Sequence, residues 1–217
     1  MIDWSKINTV FLDLDGTLLD LHFDNYFWLK YVPACYAKHH DISLAASHEH
    51  LNKQYTEVYG SLNWYCVEFW SKALGLDIAA LKYEIRHKIA VRPFVEEFLE
   101  ALHMQGKRVV LVTNAHPLSF QVKFQQTGLD RYFHRVITSH ELHFAKEEAA
   151  FWLELEKIEA VDKPSTLLID DNFHVLDAAA QYGLGHLLAI KQPDSTEMDK
   201  QHDSYALLDS FRDIFPK

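Results

Sequence analysis

Five short apolar runs are strung along this chain with helix-like segments between most of them: TVFLDLD (9–15), RVVLVTN (108–114), RVITS (135–139), STLLIDD (165–171) and HLLAI (186–190). Brief runs rich in Val, Ile and Leu read as strands buried on both faces, and strands alternating with helices predict a doubly wound parallel sheet. Gly106, Gly128 and Gly183 fall where the intervening helices should stop and read as helix C-caps. The polar run KQPDSTEMDKQHDS (191–204) reads as loop, and LLDSFRDIF beyond it predicts a last amphipathic helix.

The spacing is uneven in one place. More than ninety residues separate the first two strands, whereas the later strands follow at the short intervals that a single crossover helix requires. Residues 17–91 read as helical throughout: DNYFWLKYVPACYAKHH, SLAASHEHLNKQYTEVYG, SLNWYCVEFWSKALG and DIAALKYEIRHKIA. Of the chain's 29 aromatic residues, 13 fall in this stretch, too many for a solvated loop. The expected organisation is an α/β protein: a Rossmann-like parallel-sheet core of residues 1–16 and 92–217, with residues 17–91 inserted as a small helical cap domain above the first strand.

A net charge of −10 argues against a nucleic-acid polymer or an anionic membrane as the main partner, since both are held by clustered Lys and Arg. Only Cys35 and Cys66 occur, both in helix-like segments, so a disulfide scaffold is not expected and a reducing cytoplasm fits. The first twenty residues lack a basic start followed by an uninterrupted apolar stretch, which argues against a signal peptide, and no run of eighteen apolar residues occurs.

In an open parallel sheet the ligand crevice lies beyond the carboxyl ends of the strands. Asp13 and Asp15 end the first run, Thr113 and Asn114 the second, Asp170 and Asp171 the fourth, and Lys146 is expected to open the helix between the third and fourth strands. Four carboxylates against one lysine repel one another in a low-dielectric cleft and cannot receive an anion unaided. A divalent cation resolves the conflict, and hard oxygen donors with room for water and a phosphate point to Mg²⁺.

This constellation resembles the haloacid dehalogenase-like hydrolase superfamily, whose four motifs are matched by DLDGT, the Thr113-Asn114 pair, Lys146 and the IDD at 169–171, over nearly the whole chain. The segments LDLHFDNYFW, SLNWYCVEFWSKALGLDI, LVTNAHP and LDAAAQYG further resemble the GMP/IMP nucleotidases of that superfamily, bacterial phosphatases acting on purine nucleoside 5′-monophosphates. The resemblance implies a cytoplasmic Mg²⁺-dependent phosphomonoesterase whose partner is a small phosphate ester. Two alternatives stay open: a sugar phosphatase or phosphomutase, which shares every core residue, and a non-catalytic regulatory protein on the same fold.

By the family pattern Asp13 is the nucleophile and Asp15 the general acid and base. Thr113 hydroxyl, Asn114 backbone N–H and Lys146 hold the phosphoryl oxygens. Asp13, the Asp15 carbonyl and Asp171 hold the metal. Asp170 stands where glycine is usual, binding through a water or orienting a ligand, and Glu147 replaces the proline that commonly follows the lysine.

The histidines in HELH (140–143) and HEH (48–50) show no third ligand at a recognisable spacing, so no zinc site is expected from them. His116 and His22 lie near the crevice without an assigned role. In SLNWYCVEFWSKAL, Leu62, Cys66, Phe69 and Ala73 form a helical stripe with Trp64 nearly opposite, so Trp64 reads either as a platform for a base or as an aromatic packed within the insert. Asp24 and Asn25 read as helix N-cap residues that also stand in reach of substrate.

Overall fold

All five expected strands are present in the computed structural model, which describes residues 2–216. They are Thr9–Leu12 (β1), Arg108–Thr113 (β2), Arg135–Thr138 (β3), Thr166–Asp170 (β4) and His186–Ile190 (β5), joined by a sixth, Leu207–Leu208 (β6). The order is β3-β2-β1-β4-β5-β6 and every pair is parallel, with Phe11 opposite Val110 on one side and Leu168 on the other.

Side chains alternate across each strand, so a run apolar at every position feeds two cores at once. Val10, Leu12, Val109, Leu111, Leu167 and Ile169 pack in one apolar cluster, and Phe11, Val110, Val112 and Leu168 in the other. The insert carries five α-helices, α1 (His22–Tyr26), α2 (Val32–His40), α3 (Leu44–Val58), α4 (Val67–Leu74) and α5 (Ile78–Glu84), with a π-helical turn, Phe27–Tyr31, joining α1 to α2. Beyond it run α6 (Val95–Met104), α7 (Pro117–Thr127), α8 (Ser139–Leu142), α9 (Ala149–Ile158) and α10 (Phe173–Tyr182). The first cluster takes Phe98 and Leu102 of α6 together with Phe23, Phe27 and Trp70 of the insert, whereas the second takes Phe151 and Trp152 of α9 and Val175 and Leu176 of α10. Gly128 and Gly183 are the left-handed C-caps of α7 and α10, and Gly106 follows α6 with a positive φ, as the sequence predicts.

The chain leaves and re-enters the sheet side by side. Asp20 N donates to Ala90 O at 2.9 Å and Arg92 N to Leu18 O at 2.9 Å, pinning the two crossings of the insert together. Among the described residues no helix is long and apolar enough to cross a membrane.

Two local expectations are corrected. LLDSFRDIF forms β6 and a 3₁₀ turn, Phe211–Ile214, in place of a helix. The free edge of β5 decides this: Ala189 N donates to Ala206 O and Lys191 N to Leu208 O, which satisfies edge amides while Leu208 and Phe211 still bury. SLNWYCVEFWSKALG is likewise two pieces, a 3₁₀ turn at Leu62–Tyr65 and then α4, because Cys66 is extended (φ −85°, ψ 111°) and its Sγ accepts the Phe69 N–H as an N-cap. The face of α4 that buries is therefore Val67, Trp70 and Leu74, and not the stripe through Cys66 and Phe69.

Candidate active site

The strand order reverses between β1 and β4, and the crevice opens there, at their carboxyl ends. Asp13 follows β1, its N–H donating to Ile169 O at 3.1 Å, and Asp170 closes β4. Lys146 lies three residues ahead of α9, in a turn rather than at a helix start. That turn is fixed by its neighbours: Asn114 Oδ1 accepts the Lys146 N–H at 2.9 Å and the Trp152 indole donates to Lys146 O at 2.8 Å. The buried ammonium donates to Asp13 Oδ1 and Asp170 Oδ2, each at 2.6 Å, and to Val112 O at 3.2 Å, using all three of its protons. Burial works against the charge, but Asp13 and Asp170 hold the Lys146 pKa above its ordinary value.

Asp13, Asp170 and Asp171 each bring a carboxylate oxygen within 4.8 Å of the others. Burial pushes all three up to about 6, against the pull of Lys146 on Asp13 and Asp170 and of Lys200 on Asp171. Asp170 is engaged at both oxygens, by Lys146 and by the Asn172 N–H at 2.9 Å, whereas the Asp171 carboxylate is engaged at Oδ2, by Lys200 at 3.1 Å, the same ammonium donating to the Asp171 carbonyl at 2.7 Å. Gly16 makes room for this packing: its φ is +83°, and a Cβ there would stand 2.8 Å from Asp171 Cγ. Three hard oxygen donors, crowded and only partly neutralised, fit a divalent cation.

The expectation of four carboxylates facing one lysine is corrected. Asp15 Oδ2 pairs with Lys123 of α7 at 2.6 Å; Lys123 also meets Asp24 Oδ2 at 2.7 Å, and Asp24 Oδ1 meets Lys82 of α5 at 2.8 Å. This buried chain links core to insert. Lys123 and Ser119 occupy the face of α7 that buries, where a core-facing stripe would ordinarily carry apolar residues. Burial raises Asp15 to about 6, helped by Asp24 and Asp13 and opposed by Lys123. Asp15 Oδ1 is buried with no protein partner among the described residues. Asp24 and Asn25 lie inside α1 and not at its cap; Asn25 donates to Asp194 at 2.7 Å.

Thr113 and Asn114 border the crevice beside Lys146. Thr113 Oγ1 accepts the Ala115 N–H at 3.0 Å, and the Asn114 side chain is taken up by Lys146 N and by Glu147 at 2.9 Å. Glu147, in the sequence only a departure from pattern, also accepts from Tyr65 of the insert at 2.6 Å and Asn172 at 3.0 Å.

From the crevice, about 550 Å³, a second cavity of about 290 Å³ runs between insert and core, and the two share Asp15, Leu21, Tyr65 and Ala115. Its wall is aromatic: Trp28, Tyr55, Trp64 and Trp70. Trp64 is half-buried and meets Tyr55, Tyr59 and Trp70 edge to face, so it both borders the cavity and packs within the insert. Asn25 and His116 line the same cavity, while His22 lies outside both, against Thr196 and Asp194.

A family model described as a haloacid dehalogenase-like hydrolase matches residues 7–183. The GMP/IMP nucleotidase YrfG of Escherichia coli (strain K12) is 40% identical over 215 residues, covering 99% of this chain and 97% of that protein. Among solved structures, a HAD phosphatase from Thermococcus onnurineus superposes with a TM-score of 0.76 at 23% identity, covering 93% of each chain. An L-2-haloacid dehalogenase from Xanthobacter autotrophicus superposes with a TM-score of 0.57 at 17% identity, over 85% of this chain and 78% of that one. At these identities the two structures speak to the fold alone.

Proposed function

Because this chain belongs to the haloacid dehalogenase-like hydrolase family, we propose that it is a Mg²⁺-dependent phosphomonoesterase that hydrolyses purine nucleoside 5′-monophosphates such as GMP and IMP through an aspartyl-phosphate. The observation that carries the substrate reading is the aromatic cavity that opens from Asp15, beside the acid crevice. A phosphate held at Asp13 leaves its ester group facing that cavity, where a flat base finds π-faces. The full-length likeness to a nucleotidase supports the same reading.

Asp13 attacks phosphorus in line. Lys146 grips Oδ1, which leaves Oδ2 for the new bond, and an ionised carboxylate needs no base to activate it. Asp15, raised by burial, protonates the departing ester oxygen and then takes a proton from the water that releases phosphate. Thr113 hydroxyl and the Asn114 N–H receive phosphoryl oxygens, and Lys146 offsets their charge. Asp13, Asp171 and the Asp15 carbonyl would hold Mg²⁺, which supplies Lewis-acid stabilisation of the phosphoryl charge. Asp170 acts by holding Lys146. Residues 17–91 serve as the cap that selects the ester, since the core residues see only phosphate.

Removal of metal by a chelator should stop phosphate release, and added Mg²⁺ should restore it. Asp171→Asn should raise the half-saturating Mg²⁺ concentration on the order of 10-fold or more. Asp170→Asn should change that concentration less and lower kcat instead, through Lys146. Mg²⁺ titrations of rate check this, and the opposite ranking would mean that Asp170 is the direct ligand.

Trp64→Ala tests the cavity. Stacking on an aromatic is worth about 1–3 kcal/mol per base, so the variant should lose roughly 10- to 100-fold in kcat/KM for GMP and far less for a small aryl phosphate. Equal losses for both substrates would reduce Trp64 to packing within the insert.

A further inference from the structure

A second group of ligating side chains lies where insert meets core, apart from the acid crevice. Cys66 Sγ and one ring nitrogen each of His116 and His140 lie within 4.8 Å of one another. Cys66 belongs to the insert, at the start of α4; His116 opens α7 and His140 lies in α8. We propose that these three side chains form a site for a borderline-soft divalent ion of the Zn²⁺ class, which when loaded ties the insert to the core.

The hydrogen bonds around His140 prepare one ligand. The Ser139 hydroxyl donates to Asn114 O at 3.2 Å, so its oxygen is free to accept from His140 Nδ1–H at 3.3 Å. That tautomer places a lone pair on Nε2, which is buried and has no protein partner among the described residues. A buried nitrogen left so costs free energy, whereas a metal-ligating histidine ordinarily donates its other N–H to an acceptor, the part the Ser139 oxygen takes here. The His116 ring stands 4.6 Å from that of His140, centroid to centroid, at 83°. Its Nδ1 accepts the Leu118 N–H at a long 3.3 Å, a weak bond that loading through Nε2 gives up. Cys66 Sγ accepts the Phe69 N–H at 3.4 Å, the kind of donation that supports a metal-bound thiolate.

Tetrahedral zinc takes Zn–S near 2.3 Å and Zn–N near 2.0–2.1 Å, which sets its ligand atoms roughly 3.3–3.6 Å apart, so the three atoms, now within 4.8 Å of one another, close in on loading. Glu68 Oε2, 3.7 Å from His116 Nε2 on an exposed side chain, is in reach of the fourth position. Loading releases the Cys66 thiol proton to solvent. Sulfur and imidazole donors do not attract Mg²⁺, so this site and the acid crevice select different ions. The sequence hid it because its ligands are 50 and 24 residues apart, at none of the spacings that mark a zinc motif.

The test uses the full chain, stripped of metal, with the acid crevice saturated by excess Mg²⁺ and Co²⁺ as the spectroscopic probe. One equivalent of Co²⁺ should bind with a thiolate-to-cobalt charge-transfer band and the intense visible bands of a four-coordinate ion, and Zn²⁺ should displace it. Cys66→Ser, whose hydroxyl still caps α4, should lose the charge-transfer band; His140→Gln should weaken Co²⁺ binding at least about 10-fold; Cys35→Ser should change nothing. Absence of the band at stoichiometric Co²⁺, or a band that survives Cys66→Ser, would overturn the proposal.

Discussion

Asp13→Asn is expected to lower phosphate release by on the order of 10⁴-fold or more while the folded protein survives. The substitution keeps the shape of the side chain and removes the oxygen proposed as the nucleophile, for which neither Asp170, engaged at both oxygens, nor Asp15, paired with Lys123, can stand in. The fold should tolerate the change because burial already pushes the Asp13 carboxyl up to about 6, so a neutral amide relieves a cost. Lys146 keeps Asp170 at 2.6 Å and is not left unpaired. Steady-state phosphate release beside a thermal melt checks both halves. A variant with wild-type turnover would remove Asp13 from the role of nucleophile.

The second large effect is on stability. Asp24→Asn should destabilise the protein by about 3–5 kcal/mol, the usual cost of removing one partner from a buried ion cluster, because it leaves the buried Lys82 ammonium without a carboxylate and Lys123 with Asp15 alone. For a chain of this size that is a fall in Tm of roughly 6–20 °C. Burial alone would raise the Asp24 pKa, but Lys123 and Lys82 override it and hold the carboxyl down at about 2, against an ordinary 3.8. A carboxyl depressed on folding contributes stability that is fully present above pH 3.8 and is lost as the pH falls toward 2. The gap between wild type and variant should therefore be full at neutral pH and shrink below about pH 4. Adding Lys82→Met to Asp24→Asn removes the stranded ammonium group and should recover part of the loss, a non-additivity that a simple packing defect would not show.

How much of this could be read from the chain divides along physical lines. The sheet was legible because apolar runs at strand length are local, and the two cores follow from alternation within each run. Asp13 and Asp170 were legible because strand ends collect at one side of a parallel sheet, whereas Lys146, in a turn ahead of α9, was legible only through the motif pattern. Partners from helices were not: Lys123 and Lys82 reach the site only because α7 and α5 pack against each other across the insert boundary. The break at Cys66 was hidden because a cysteine N-cap carries no strong local signal, and β6 was hidden because an edge strand of two residues is decided by its neighbour. Glu147 could be seen only as a departure from pattern, since its partners Tyr65, Asn114 and Asn172 come from three separate segments.

In the proposed function the acid crevice and the aromatic cavity together take a purine nucleoside monophosphate. Its most direct test is kcat/KM for the wild-type protein with Mg²⁺, measured on GMP, IMP, CMP, UMP and a hexose phosphate. One stacked base predicts GMP and IMP ahead of the others by roughly 10- to 100-fold. Pyrimidine nucleotides or the hexose phosphate hydrolysed equally well or better would contradict the purine reading, and no phosphate release from any of the five would contradict the phosphatase reading itself.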